Sequence, residues 1–162
     1  MKVHKGFTLV ELMIVIVIIG ILAVALLLSG SAATAEAEAA NIISDLRSLK
    51  AAAVAMYADS IDIVINDYAL NTVGSLALLK PYMSNPDKIL NNGPYEFFKT
   101  TIAGVGVKWW VVYDLDRSNV TKKVEVKLAA KADSVGLYFA SGGGTVYRPF
   151  RAGDRRVHMV AR

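Results

Sequence analysis

The sequence predicts an α+β protein: a long N-terminal α-helix whose second half packs on a C-terminal antiparallel β-sheet head. Three observations carry this. Residues 12–28 run for 17 positions without a charge or a strongly polar side chain. An alanine-rich stretch without Pro or Gly follows, with an apolar stripe at helical spacing. From residue 95 onward, short apolar alternations separated by glycine turns take over. The bounds of composition agree. A chain of 162 residues holds one ordinary domain plus an attached element. Hydrophobic residues make up 54% of it and the mean hydropathy is +0.42, high for a soluble protein and low for a polytopic membrane protein. Lys and Arg number 18 against 14 Asp and Glu, a formal charge of +4. The lack of cysteine excludes a disulfide scaffold, a thiol nucleophile, an iron–sulfur cluster and a cysteine-built zinc site. Two histidines, His4 and His158, are too few for a His-rich metal centre.

The first element is the apolar run. Extended back to Phe7 it covers 22 residues, interrupted only by Thr8 and Glu11. As a helix it spans roughly 33 Å, against a bilayer core of about 30 Å. In lipid it must be helical, because nothing there satisfies open backbone groups. Lys2 and Lys5 precede it, which predicts a cytoplasmic N-terminus and a head across the membrane. Three readings compete: a conventional signal peptide cut in the small-residue stretch 29–35, a plain single-span anchor, or a short basic leader cut ahead of a retained apolar helix. Glu11 discriminates. A carboxylate near the bilayer centre costs about 2.5–3.5 kcal/mol, less near an interface. Neither a signal peptide nor a plain anchor needs one. Glu11 either sits at the headgroup boundary or finds a positive partner once the chain leaves the lipid.

Lys5-Gly6-Phe7-Thr8-Leu9-Val10-Glu11-Leu12 and the aliphatic run through Ala23 resemble the type IV pilin and type II secretion pseudopilin superfamily. Gly followed by Phe-Thr-Leu-x-Glu and an uncharged helix is the class III prepilin signal. The resemblance covers about the first 25 residues and extends to the rest only as a pilin-like architecture. It implies that a prepilin peptidase cuts between Gly6 and Phe7 on the cytoplasmic face, and that the new amino group of Phe7 is N-methylated. It implies further that Glu11, then the fifth residue, pairs with the N-terminal ammonium of a neighbouring subunit during assembly. Opposite charges at about 4 Å attract by roughly 4 kcal/mol at an effective dielectric near 20, whereas a lone buried carboxylate is a net cost. The helices then pack together as a filament core. One departure is visible. Many family members have a proline near the position of Leu28, and this chain has none before Pro81. Gly20 and Gly30 each weaken a helix by about 1 kcal/mol, so both local melting between them and an unbroken helix stay open.

The helix is expected to continue to about residue 58. Ile42, Leu46, Leu49, Ala53 and Met56 form its stripe, with Asn41, Asp45, Arg47 and Ser48 off it. That stripe fits the head, or alternatively a short coiled coil. Pro81, Pro86 and Asn92-Gly93-Pro94 mark turns in a connecting αβ-loop region, with a short helix over 73–80 stopped by Pro81. Strands over 95–102 and 107–115 flank a Gly104-x-Gly106 turn. Val107, Trp109, Val111 and Tyr113 make an apolar face for the long helix. Trp109 and Trp110 fall on opposite faces, one in the core and the other exposed. Residues 122–135 suit a helix or a strand, and Val124, Leu128 and Val135, which fit one helical face, favour the helix. Strands over 137–139 and 145–147 bracket Gly142-Gly143-Gly144, and a last strand over 155–161 points Val157, Met159 and Ala161 inward. The expected division is a leader at 1–6, a transmembrane and filament-core helix at 7–31, its amphipathic continuation at 32–58, the connecting region at 59–94 and a head at 95–162.

Catalytic equipment is sparse. No Ser-His-Asp set, H-E-x-x-H or paired-carboxylate site stands out, and His158 reads as a surface or edge residue. Asp114-Leu115-Asp116-Arg117-Ser118-Asn119 has alternating oxygens that suit Ca²⁺, but it lacks an EF-hand's glycine and terminal glutamate. It reads as a polar turn, and no metal and no cofactor are expected. Arg148, Arg151, Arg155, Arg156 and Arg162 form a C-terminal basic patch beside Tyr147 and Phe150. The patch is a solvated or subunit-facing surface, with polyanion or nucleic-acid binding as the less favoured reading. The sequence is therefore read as a structural subunit, not an enzyme: a type IV pilus-like pilin serving adhesion, motility or DNA uptake. A type II secretion pseudopilin is the alternative, and a secreted soluble binding protein is the alternative of another class. Its partners would be copies of itself, minor pilins or pseudopilins, the prepilin peptidase, the inner-membrane assembly platform and the bilayer. It would sit in the bacterial inner membrane before assembly, and in an extracellular pilus or periplasmic pseudopilus afterwards.

Overall fold

A computed structural model describes residues 6–59, 73–90, 93–102, 104, 106–141 and 146–161. Residues 1–5 of the expected leader with Lys2, His4 and Lys5, the centre of the connecting region, Asn92, the Gly142–Gly144 turn and Arg162 lie outside these residues.

Helix α1 (Leu9–Asp59) is one element of 51 residues, about 77 Å long. In the isolated chain it passes through Gly20 and Gly30 without a break. A Cβ at either glycine would meet nothing within 4 Å, so no neighbour presses the backbone out of helical form there. The predicted stripe is the buried face: Ile42, Leu46, Leu49, Ala53 and Met56 all lie in the core. Burial begins earlier than expected, at Ala35 and Ala39, whose small side chains suit a close approach of the second long helix.

A 3-10 segment (Val73–Tyr82) and the short helix α2 (Pro86–Leu90) follow. The segment does not stop at Pro81 as expected but runs through it to Tyr82. In the last turn of such a segment the missing N–H costs one bond at most, and the fixed proline φ fits the element. Leu76, Leu79 and Ile89 bury against the head.

The sheet comprises β1 (Tyr95–Ile102), β2 (Gly106–Asp114), β3 (Leu137–Ser141), β4 (Val146–Pro149) and β5 (Arg156–Val160). Every pairing is antiparallel and the spatial order is β1-β2-β5-β3-β4. The last strand thus fills the centre, between β2 and β3. Beyond its ladder, the Leu115 N–H donates to the Arg155 carbonyl (2.9 Å) and the Ala161 N–H to the Trp109 carbonyl (2.8 Å). Helix α3 (Lys122–Val135) has the predicted bounds and packs on α1 through a face that includes Val124, Leu128 and Ala132. Gly136 closes it at φ 75°, a left-handed conformation that favours glycine, and its N–H donates to the Ala132 carbonyl.

The inner face of the sheet meets α1 as expected. Trp109, Val111, Tyr113, Val157, Met159 and Ala161 join the core, and Tyr57 of α1 sits edge-on to Trp109 at 5.5 Å. Asp45, expected off the stripe, belongs to this interface, because the Tyr95 hydroxyl donates to it at 2.7 Å. Burial and that carboxylate push the Tyr95 phenol up from its ordinary range. Tyr95→Phe removes this donor, and a loss of about 1–3 kcal/mol is expected. Denaturant titration of the variant against the wild type measures it.

Two expectations fail on the outer face. Trp110 is not exposed but wholly buried, and His158 is neither surface nor edge but 3% exposed on the central strand. A second aromatic layer covers them. Trp110 stands edge-on to Tyr147 (5.5 Å) and His158 (5.9 Å), and Phe98 and Phe139 flank the imidazole. The Arg148 guanidinium closes the layer, 4.8 Å over the Phe139 ring.

Candidate functional site

The head covers α1 only from Ala35 on. Among the described residues the helix before it is bare: Phe7 and Leu27 are each 77% exposed, and the large apolar side chains between them are exposed as well. From Leu9 to Thr34 this leaves a rod of about 39 Å. A soluble monomer does not leave so large a continuous apolar surface to water; such a surface marks a membrane or subunit contact. By length and composition α1 can cross a membrane.

At the tip of the rod the local chemistry is specific. Gly6 and Phe7 precede the helix and are exposed, so the peptide bond between them is sterically open. Thr8 is the N-cap. Its hydroxyl oxygen accepts from the Glu11 N–H at 3.2 Å, while Glu11 Oε2 accepts from the Thr8 N–H (2.9 Å) and the Thr8 hydroxyl (2.7 Å). This reciprocal arrangement is a capping box, and it satisfies two otherwise orphaned donors. Sequence reasoning identified Glu11 but overlooked Thr8. The signal was present, as a threonine three residues before a glutamate at the head of an apolar run. In the isolated chain Glu11 is therefore hydrogen-bonded within its own first turn and extends from an otherwise aliphatic surface.

The predicted C-terminal arginines lie far along the chain on the head. Gly20 and Gly30 fall within the rod. Of the C-terminal arginines, Arg148 makes a bidentate pair with Asp154 (2.6 and 2.9 Å). Arg155 pairs with Asp116 at 2.8 Å, and Arg156 with Asp114 at 3.2 Å. These carboxylates neutralise much of the patch from within, and the guanidinium of Arg148 is committed to holding the 149–154 turn. The Arg151 N–H also donates to Asp154. The segment after β2 is the polar turn expected. Asp114 accepts from the backbone N–H groups of Asp116 and Arg117, and the Ser118 hydroxyl donates to the Leu115 carbonyl. Among the described residues no group of three or more His, Asp or Glu side chains is placed to hold a metal ion.

Comparison with known proteins supports the reading of the N-terminus. Residues 1–27 match the model of the prokaryotic N-terminal methylation motif. No curated protein and no solved structure matches the chain. The matched segment contains Gly6, Phe7, Thr8 and Glu11 and ends where the bare rod approaches the head. The chain thus carries at residues 1–27 the class III prepilin signal of type IV pilins and pseudopilins, on a pilin-like arrangement of one long helix and a five-stranded antiparallel sheet.

Proposed function

We propose that this chain is the structural subunit of a bacterial type IV pilus-like filament. A prepilin peptidase removes residues 1–6, the amino group of Phe7 is methylated, and α1 holds the subunit in the inner membrane with its N-terminus cytoplasmic. Subunits then leave the bilayer through the assembly platform and pack their rods together, with Glu11 facing the N-terminal ammonium of a neighbour. The observation that carries this is the division of α1. One face of its second half is buried by the head, whereas its first half is exposed on every side and ends in a single carboxylate. Lipid can cover the rod before assembly, and identical rods can cover it afterwards. The reaction is mechanical assembly, and no side chain is assigned to catalysis.

The mass of the mature chain tests processing. The expected product begins at Phe7 and carries one extra methyl group. A product that begins near Thr34 would have shed the rod, and would instead be a secreted head domain. Electron microscopy of sheared surface fibres with peptide identification tests the destination. Fibres built of this chain are expected; their absence, with the chain retained in a periplasmic assembly, would favour a type II secretion pseudopilin.

A further inference from the structure

The point at which α1 leaves the head is unusually basic. The Lys123 ammonium donates to the Ser31 hydroxyl at 2.9 Å, which ties the first turn of α3 to the polar residues just after the apolar run. One turn further into the head, Lys127 and Lys131 both pair with Glu36. Helices α1 and α3 therefore rise side by side, and the first turn of α3 is its rod-proximal end. Its acids, Glu125 and Asp133, come after Lys122 and Lys123 in the sequence. Ser31, Ala32, Ala35, Lys122, Val126 and Lys127 are among the residues lining an open groove of about 540 Å³, with an apolar floor and a cationic rim. The Thr121 side chain makes no cap bond to this helix, while the Val124 N–H donates to the Thr121 carbonyl at 2.9 Å, so the first-turn donors left for another acceptor are the N–H groups of Lys122 and Lys123.

Geometry locates this groove relative to a bilayer. The apolar run ends at Leu28, and Ser31 lies about 4.5 Å beyond it along the helix. The headgroup layer on each side of a bilayer is about 5–7 Å thick. An ammonium bonded to Ser31 therefore lies within that layer whenever α1 spans the membrane. Resting on the membrane-anchored stage of the proposed function, we propose that Lys122, Lys123 and the groove beside Ala32 and Val126 form a docking surface for the phosphate headgroups of anionic phospholipid. The two ammonium groups and the N–H groups of Lys122 and Lys123 at the start of α3 engage the phosphate, and the apolar floor takes the glycerol region. Docking would hold the head upright on the outer leaflet, with a fixed azimuth about its own helix, before the subunit joins a filament. Separation from the lipid would then require those phosphate contacts to break.

The test uses the full chain in nanodiscs of phosphatidylcholine, with and without phosphatidylglycerol, and reads hydrogen exchange in peptides covering 119–127. Each lysine near an anionic surface is worth about fivefold in a docking equilibrium, so the pair gives about 30-fold. Protection of the first turn of α3 should rise toward that factor in discs with phosphatidylglycerol and fall back in high salt. The K122Q/K123Q chain should show little of the rise, while exchange in β2 stays unchanged and so reports an intact head. Equal protection in both disc types, or an undiminished rise in K122Q/K123Q, overturns the proposal. Protection brought equally by excess inorganic phosphate in phosphatidylcholine discs also overturns it, since the surface would then select a free anion. Co-elution with the discs reports anchoring separately. A chain that never enters the discs refutes the membrane-anchored stage itself, whereas an anchored chain without the lipid effect refutes only the docking surface.

Discussion

Glu11→Val chains are expected to enter the membrane and to be cleaved as the wild type, yet to yield few or no sheared filaments. The charge pair proposed for the assembled state is worth roughly 4 kcal/mol at 4 Å and an effective dielectric near 20, about a thousandfold in an association constant. The structure adds a complication that the substitution alone does not separate, because Glu11 also closes the capping box with Thr8. Loss of a cap costs about 1 kcal/mol of helix stability. Two further variants divide the effects. Glu11→Gln keeps an acceptor for the Thr8 N–H and removes the charge, so it should assemble as poorly as Glu11→Val. Thr8→Ala weakens the cap and keeps the charge, so it should still assemble. Filament yield by electron microscopy, with cleavage followed by mass, reads all three. Wild-type yield from Glu11→Gln would show that the carboxylate serves only the helix end.

Acid should destabilise the head through His158. Burial, with a smaller contribution from Arg156, pushes its pKa down to about 4 from an ordinary 6.5. The unfolded chain takes up a proton near pH 6.5, while the folded chain refuses it until about pH 4. The stabilisation is thus complete above pH 6.5 and is lost progressively as pH falls toward 4. A shift of this size corresponds to about 3 kcal/mol. Near-UV circular dichroism of the full chain in neutral detergent, followed through urea at pH 7.5 and pH 4.5, reads the loss from the two buried tryptophans. His158→Phe keeps an aromatic ring within the outer layer and removes the titration, and its stability should depend much less on pH over that window. An unchanged slope in the variant would show that His158 is not the source of the acid sensitivity.

The contrast between Trp109 and Trp110 shows how far the sequence could be read. Alternation along β2 correctly placed them on opposite faces, because side-chain direction in a strand is local geometry. It did not reveal that both faces are covered. The cover over Trp110 comes from Tyr147 on β4 and His158 on β5, whose imidazole Phe98 on β1 and Phe139 on β3 flank in turn, all brought together by the β1-β2-β5-β3-β4 order. His158 was misread for the same reason. A C-terminal strand has no sequence mark that says it will be inserted between β2 and β3. The arginines were legible as a patch of charge, but Asp114 and Asp116 face Arg156 and Arg155 only once the segment after β2 lies beside the last strand, whereas Asp154 closes locally on Arg148. Asp45 looked solvated until the sheet delivered Tyr95 to it.

What the sequence determined by itself is the long helix, its bare apolar half and the single carboxylate at its tip. Each follows from residues near in the chain, through spacing, hydrophobicity and capping. Only the tertiary structure decided which strand lies at the centre, which polar groups are buried and where the lysines of α3 stand relative to the bare rod. Those depend on contacts between residues far apart in the chain, for which local preference carries almost no information.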